Sequence, residues 1–149
     1  SITKASWAAH LDTNLRAPVF LSQAFAKQLP EGMEGNIISI IDQRVWKMNP
    51  KFFSYTTSKS GLWTATRTLA QALAPNIRVN AISPGTVDTA FHEQFSNREK
   101  LEKTRSGIPL LRLGQANDCA GTALYLASDN LSGYVTGQVI EINGGQLMA

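Results

Sequence analysis

Gly35-Asn36-Ile37-Ile38-Ser39-Ile40-Ile41-Asp42 is the stretch that decides the architecture. Its isoleucines are nearly continuous rather than alternating with polar residues. That pattern marks a strand covered on both faces, as in a parallel sheet. The stretch closes on Asp42. In open α/β sheets the ligand crevice lies beyond the carboxyl ends of the strands, so this carboxylate stands where chemistry occurs. A carboxylate there is also an ordinary way to open a loop.

Downstream, residues 43–53 form a loop carrying Trp46, Met48, Pro50, Phe52 and Phe53. Such apolar loop residues either cover the core or line a substrate pocket. A helix is predicted from about Ser54 to Ala74, ended by Pro75-Asn76. Leu62, Trp63, Leu69 and Leu73 give it apolar surface, and Ala65, Ala70, Ala72 and Ala74 allow close packing. This is more apolar surface than one sheet needs, which points to burial against another helix. At its start Tyr55 and Lys59 are four residues apart, on one helix face. A phenol beside an ammonium makes a proton-transfer pair, because the cation favours the phenolate.

Ile77–Ser83 reads as a second short strand, and Pro84-Gly85 forces a turn just past it. The segment Pro84-Gly85-Thr86-Val87-Asp88-Thr89 is either a plain turn or a cradle, its backbone groups and the Thr86 and Thr89 hydroxyls suiting an amide-bearing ring. Residues 90–113 are polar and mixed, with a helix around 98–105; a connection this long reads as a movable lid. His92 within it is either an exposed side chain or a substrate contact. A further helix starts at Asn117 or Asp118 and runs to about Ser128. Gln138–Ile142 is a last strand, turned out by Asn143-Gly144-Gly145.

Upstream, residues 3–29 read as one helix, with Thr3 as N-cap and Trp7, Leu11, Leu15, Val19 and Phe20 at helical spacing. Pro18 interrupts it, since proline removes a hydrogen bond and kinks the rod. Asn14 sits one turn earlier, either a surface polar residue or a group turned inward among loosened carbonyls. Strands alternating with helices argue for a parallel sheet with helices on its faces, in one domain over residues 1–149.

The 149 residues are 43% hydrophobic and 17% charged, which is a globular composition. The net charge of +3 comes without a run of Lys and Arg, which speaks against nucleic acid. No apolar run reaches the ~18 residues of a membrane span. The single cysteine, Cys119, has no internal disulfide partner and fits a reducing, cytoplasmic setting. No residue is assigned as a metal ligand.

Asn14, the Tyr55/Lys59 pair, Asn80-Ala81-Ile82-Ser83-Pro84-Gly85, Val135-Thr136-Gly137-Gln138 and Gly144-Gly145 occur in that order. Each is loose alone; the ordered set resembles the C-terminal part of a short-chain dehydrogenase/reductase. The resemblance implies a Rossmann-type α/β fold that moves hydride between NAD(P)H and a small-molecule substrate. It implies that Tyr55 is the proton donor or acceptor, that Lys59 holds the nicotinamide ribose and lowers the Tyr55 pKa, and that Asn14 binds a water on the proton path. It places Tyr55, Lys59, Pro84, Gly85, Thr86, Val87 and Thr89 against the cofactor. It also implies a homo-oligomer, a dimer or tetramer, paired through helices 3–29 and 54–74.

Two features depart from the family. Where it usually has serine, thirteen residues before the tyrosine, this chain has Asp42. That resembles the pteridine reductases, in which Asp and Tyr together protonate a pterin ring, and it favours a C=N bond and NADP. The family's glycine-rich pyrophosphate turn and the N-terminal half that carries it are also missing here, which makes activity of the fragment alone doubtful. Two other readings stay open: a carbonyl reductase or alcohol dehydrogenase acting on a ketone or secondary alcohol, and a truncated, non-catalytic oligomerisation module.

Overall fold

The computed structural model describes residues 2–89 and 98–147. The His92 expectation and the first part of the 90–113 segment lie outside the described residues. Three strands, β1 (Gly35–Ile40), β2 (Ile77–Pro84) and β3 (Val139–Ile142), form a parallel sheet in the order β1-β2-β3. Gly35 pairs with Ile77 and Ile40 with Ile82, and Ala81 pairs with Val139. Helices α1 (Lys4–Leu11) and α2 (Ala17–Gln28) precede β1, and α3 (Phe53–Leu73) crosses from β1 to β2. Between β2 and β3 lie α4 (Arg98–Ser106), α5 (Ala116–Ala127) and the short α6 (Asp129–Ser132).

Alternation along β2 sorts the helices onto the two faces. Val79 and Ala81 point towards α3: Val79 packs with Ala70, and Ala81 with Leu62, Ile41 and Val45. Arg78 points the other way, where its guanidinium reaches the Leu126 carbonyl at the end of α5 and Asp129 in α6. Burial of these residues follows: Val79, Ala81 and Leu126 are all 0% exposed.

β1 departs from its sequence reading. Its residues are only half-buried, and Ile40 is 49% exposed. The two-sided cover that its isoleucines suggest is realised in β2, whose residues are buried on both faces between α3 and α5–α6. β1 is an edge strand whose outer side meets no partner strand among the described residues. A groove of about 450 Å³ runs along it, between Pro18, Leu21 and Phe25 of α2 and Ile37–Ile40.

The predicted 3–29 helix is interrupted in the turn before Pro18 rather than sharply kinked at it. Proline offers no N–H to the carbonyl four residues back, that of Asn14. The backbone answers by widening: Asp12–Arg16 is a π-helical turn, closed by the Ala17 N–H bonding the Asp12 carbonyl. Single π turns occur mostly inside helices at functional sites. Leu15 of this turn meets α3 at Gly61, where a Cβ would lie 2.7 Å from its Cδ2, so a larger residue there would require the Leu15 side chain to shift.

The segment expected to be a lid is anchored over its latter part. Ile108 is 2% exposed, Leu110 donates to the Gly144 carbonyl, and Gly114 donates to Thr86. Gly144 has φ +63° and faces Ile108, so this turn excludes a side chain on two counts.

Candidate active site

α3 opens with Tyr55 and Lys59 on the face turned to the carboxyl end of β1. Asp42 sits two residues past β1 and caps the short 3-10 turn Gln43–Val45, its Oδ1 accepting from the Arg44 N–H at 2.8 Å. That bond fixes the carboxylate, and its free Oδ2 accepts from the Tyr55 hydroxyl at 2.8 Å. Lys59 Nζ lies 5.9 Å from the centre of the Tyr55 ring and donates to the Ile40 carbonyl at 2.8 Å, the last residue of β1. One of three ammonium donors is thereby used.

Burial sets the protonation of this cluster. The Tyr55 phenol is pushed well above its ordinary value, first by burial and then by the charge and hydrogen bond of Asp42, with Arg44 opposing. That corrects the direction expected from Lys59 acting alone. In this arrangement the carboxylate is hydrogen-bonded to the hydroxyl and the ammonium stands off the ring. Lys59 itself is lowered by burial, with Asp42 opposing. Tyr55 therefore holds its proton at neutral pH.

These groups line a cavity of about 780 Å³. Pro84, Gly85, Thr86, Val87 and Thr89, from the turn after β2, line the same cavity, so the two sequence-separated sets meet. The Thr86 and Val87 N–H groups donate to no backbone carbonyl among the described residues. Unused ammonium donors, free backbone N–H groups and hydroxyls suit the amide and ribose end of a nicotinamide cofactor.

Asn14 stands slightly apart. It lines the groove along β1, which it shares with Lys59, and its Nδ2 donates to Ser58 Oγ at 3.1 Å. Ser58 is 0% exposed and donates in turn to the Tyr55 carbonyl at 2.7 Å. One turn earlier, His10 Nδ1 and Ser54 Oγ are 2.8 Å apart, and the His10 ring meets Tyr55 edge-on at 5.8 Å. The site thus has two rungs, His10–Ser54 and Asn14–Ser58, joining the upstream helix to α3. Sequence reasoning missed His10, Ser54, Ser58 and Arg44. The matching i, i+4 spacing of His10/Asn14 and Ser54/Ser58 was the available signal for the first three.

Comparison with known proteins places the chain among enzymes of one family. Residues 1–146 match the family model described as enoyl-(acyl carrier protein) reductase. The chain is 34% identical over 146 residues to the human protein named dehydrogenase/reductase SDR family member 4, covering 97% of this chain and 52% of that one. It is 37% identical over 140 residues to a 3-oxoacyl-[acyl-carrier-protein] reductase of Thermotoga maritima, covering 93% and 56%. Among solved structures, the FolM alternative dihydrofolate reductase 1 of Brucella suis in complex with NADP superposes with a TM-score of 0.88 at 45% identity, covering 98% and 57%. The chain therefore spans little more than half the length of these relatives.

Proposed function

We propose, on the premise that this chain belongs to the short-chain dehydrogenase/reductase family, that it is the catalytic part of an NAD(P)H-dependent reductase acting on a C=N bond of a pterin-like heterocycle. The observation that carries this reading is the 2.8 Å hydrogen bond from Tyr55 to Asp42 inside the cavity. A hydroxyl facing a substrate carbonyl needs no carboxylate partner. A carboxylate beside the phenol suits the amino and ring N–H donors of such a heterocycle.

A nicotinamide bound there would supply the hydride for the carbon of the C=N bond. The protein supplies the rest. Tyr55, kept protonated by burial and by Asp42, gives its proton to the nitrogen. The Lys59 ammonium favours the phenolate left behind, and Asp42 returns a proton taken up from solvent. Asn14 acts through Ser58, which holds the Tyr55 carbonyl and hence the first turn of α3. Pro84–Thr89 receive the nicotinamide end. NADP is the favoured cofactor, as in the Brucella suis structure.

The full-length protein, mixed with NADPH and a 7,8-dihydropterin, is expected to consume NADPH. Turnover of a simple ketone with none of the pterin would replace this reading by a carbonyl reductase, the activity named for the Thermotoga relative. Self-association through α2 and α3 belongs to the same proposal. Phe20 and Leu21 on α2 are 61% and 69% exposed, adjacent large apolar side chains of the kind that mark an interaction surface.

A further inference from the structure

We propose that Arg44, with Lys51 beside it, is an anion-binding arm of this cavity that takes a carboxylate tail on the substrate. The inference rests on the reductase reading of the cavity and names the substrate class more closely: a flat heterocycle bearing an acidic tail, not the bare ring.

Arg44 differs from the other arginines that make side-chain contacts. Arg16, Arg78, Arg105 and Arg112 each reach a carboxylate, of Asp12, Asp129, Glu102 and Asp118 respectively. The Arg44 guanidinium has no ion pair and no hydrogen bond among the described residues. Its central carbon sits over the Phe52 ring, 3.9 Å from the centroid. A guanidinium held over a ring face by a cation–π contact keeps its N–H donors open, and that fork can receive a carboxylate through two parallel bonds. Arg67 also sits over a ring, that of Trp63, but it does not line the cavity.

The charge of the cavity wall points the same way. Among the described residues, Arg44, Lys51 and Lys59 line it against a single carboxylate, Asp42. Asp42 is already engaged by Tyr55 and by the Arg44 backbone N–H, not by the Arg44 side chain. With Lys59 assigned to the cofactor, Arg44 and Lys51 remain as positive charge with no ion-pair partner among the described residues. The Asp42 cap ties this arm to the chemistry. The carboxylate that receives Tyr55 also holds the backbone of Arg44, so the ring site and the tail site are set at a fixed spacing. A cavity of about 780 Å³ has room for both ring and tail.

The test uses two substrates that differ only in tail charge, 7,8-dihydrofolate and its dimethyl ester, with the full-length protein and NADPH. The wild type is expected to show a KM about tenfold lower for the acid, the size of one charged hydrogen-bond pair. In Arg44→Met the ratio of the two KM values is expected to approach one, and in Arg44→Lys to recover in part. The ratio is internal to each variant, so a smaller folded fraction cancels. No acid preference in the wild type, or an unchanged ratio in Arg44→Met, overturns the arm and leaves the pterin reading standing. If neither compound is reduced, the pterin reading fails and calorimetry with p-aminobenzoyl-glutamate, the tail without the ring, decides. Saturable binding lost in Arg44→Met supports the arm; binding equal in both, or absent, overturns it.

Discussion

Two polar clusters hang on the same sheet, one at the carboxyl end of β1 and one on the opposite face of β2, and they spend their hydrogen bonds differently. Behind β2, Arg78 bonds the Leu126 and Val135 carbonyls, the Ser132 hydroxyl and Asp129. Asn80, 0% exposed, donates to the Val135 carbonyl at 2.8 Å and accepts from Gln138 at 3.0 Å. Arg78 and Asn80 in that cluster are well paired and largely out of water, with Asp129 at its exposed rim. In the cavity, by contrast, Tyr55, Asp42 and Lys59 are half-buried and each keeps bonding capacity unused. A buried polar group that is fully paired holds a fold together; one left partly unpaired beside open space is available to a ligand.

Substitution should separate the two clusters by what each one damages. Tyr55→Phe removes one hydroxyl and its bond to Asp42. It is expected to lower the rate of the full-length enzyme by about 10²–10⁴-fold, the usual worth of a positioned acid, while the urea midpoint moves little. Retained activity would remove Tyr55 as the proton donor. Asn80→Ala does the reverse. It removes two hydrogen bonds from a buried side chain, leaving the Val135 carbonyl only the longer bond from Arg78 and the Gln138 N–H without this partner, for a loss of about 1–3 kcal/mol in urea unfolding. If Tyr55→Phe destabilised the protein as much as Asn80→Ala, the contrast between working and structural clusters would collapse.

The same contrast explains what was legible in the sequence. The parallel sheet, the helix bearing Tyr55 and Lys59, and the convergence of Asp42 with Pro84–Thr89 are all readable, because they follow from periodicity and from where strands end. Asn80 and the Val135–Gln138 segment are readable as a motif but not as a bond. Val79 receives Gly137 and donates to Thr136, and Asn80 holds Gln138, so this segment is a strap laced to β2. Arg44 is illegible, because only the folded loop shows that it sits over Phe52 instead of pairing with an acid. The exposure of β1 is equally hidden: its isoleucines are those of an inner strand, and exposure depends on what lies beside it.

A pH experiment sharpens the distinction further. The folded state holds the Tyr55 proton more tightly than the unfolded chain does. Its contribution is therefore fully present below the ordinary tyrosine pKa of about 10 and is lost as pH rises beyond it. Lys59 is shifted downward and pulls the other way in that range, so the comparison must be between proteins. Wild type is expected to lose stability more steeply than Tyr55→Phe above pH ~10. Parallel alkaline limbs would mean the phenol is not shielded.

The smallest effect is expected at Arg112 and Asp118, the exposed counterpart of the buried Arg78 cluster. Asp118 accepts twice from Arg112, at 2.7 and 2.9 Å, and once from the Gln115 N–H at 2.7 Å, which caps α5. Those partners hold its carboxyl down to about 2, the Arg112 hydrogen bonds first and the Gln115 N–H second. A depressed pKa contributes stability that is present above the ordinary carboxylate value of about 4 and is lost as pH falls through the folded one. Asp118→Asn should therefore flatten the acid limb between pH ~4 and ~2, leaving the neutral-pH midpoint almost unmoved, because water screens an exposed pair. Ala116 and Cys119, in the same first turn, line the cavity, so any fraying would register as a raised KM. A large loss of stability at neutral pH would show that this exposed pair is as structural as the well-paired cluster behind β2.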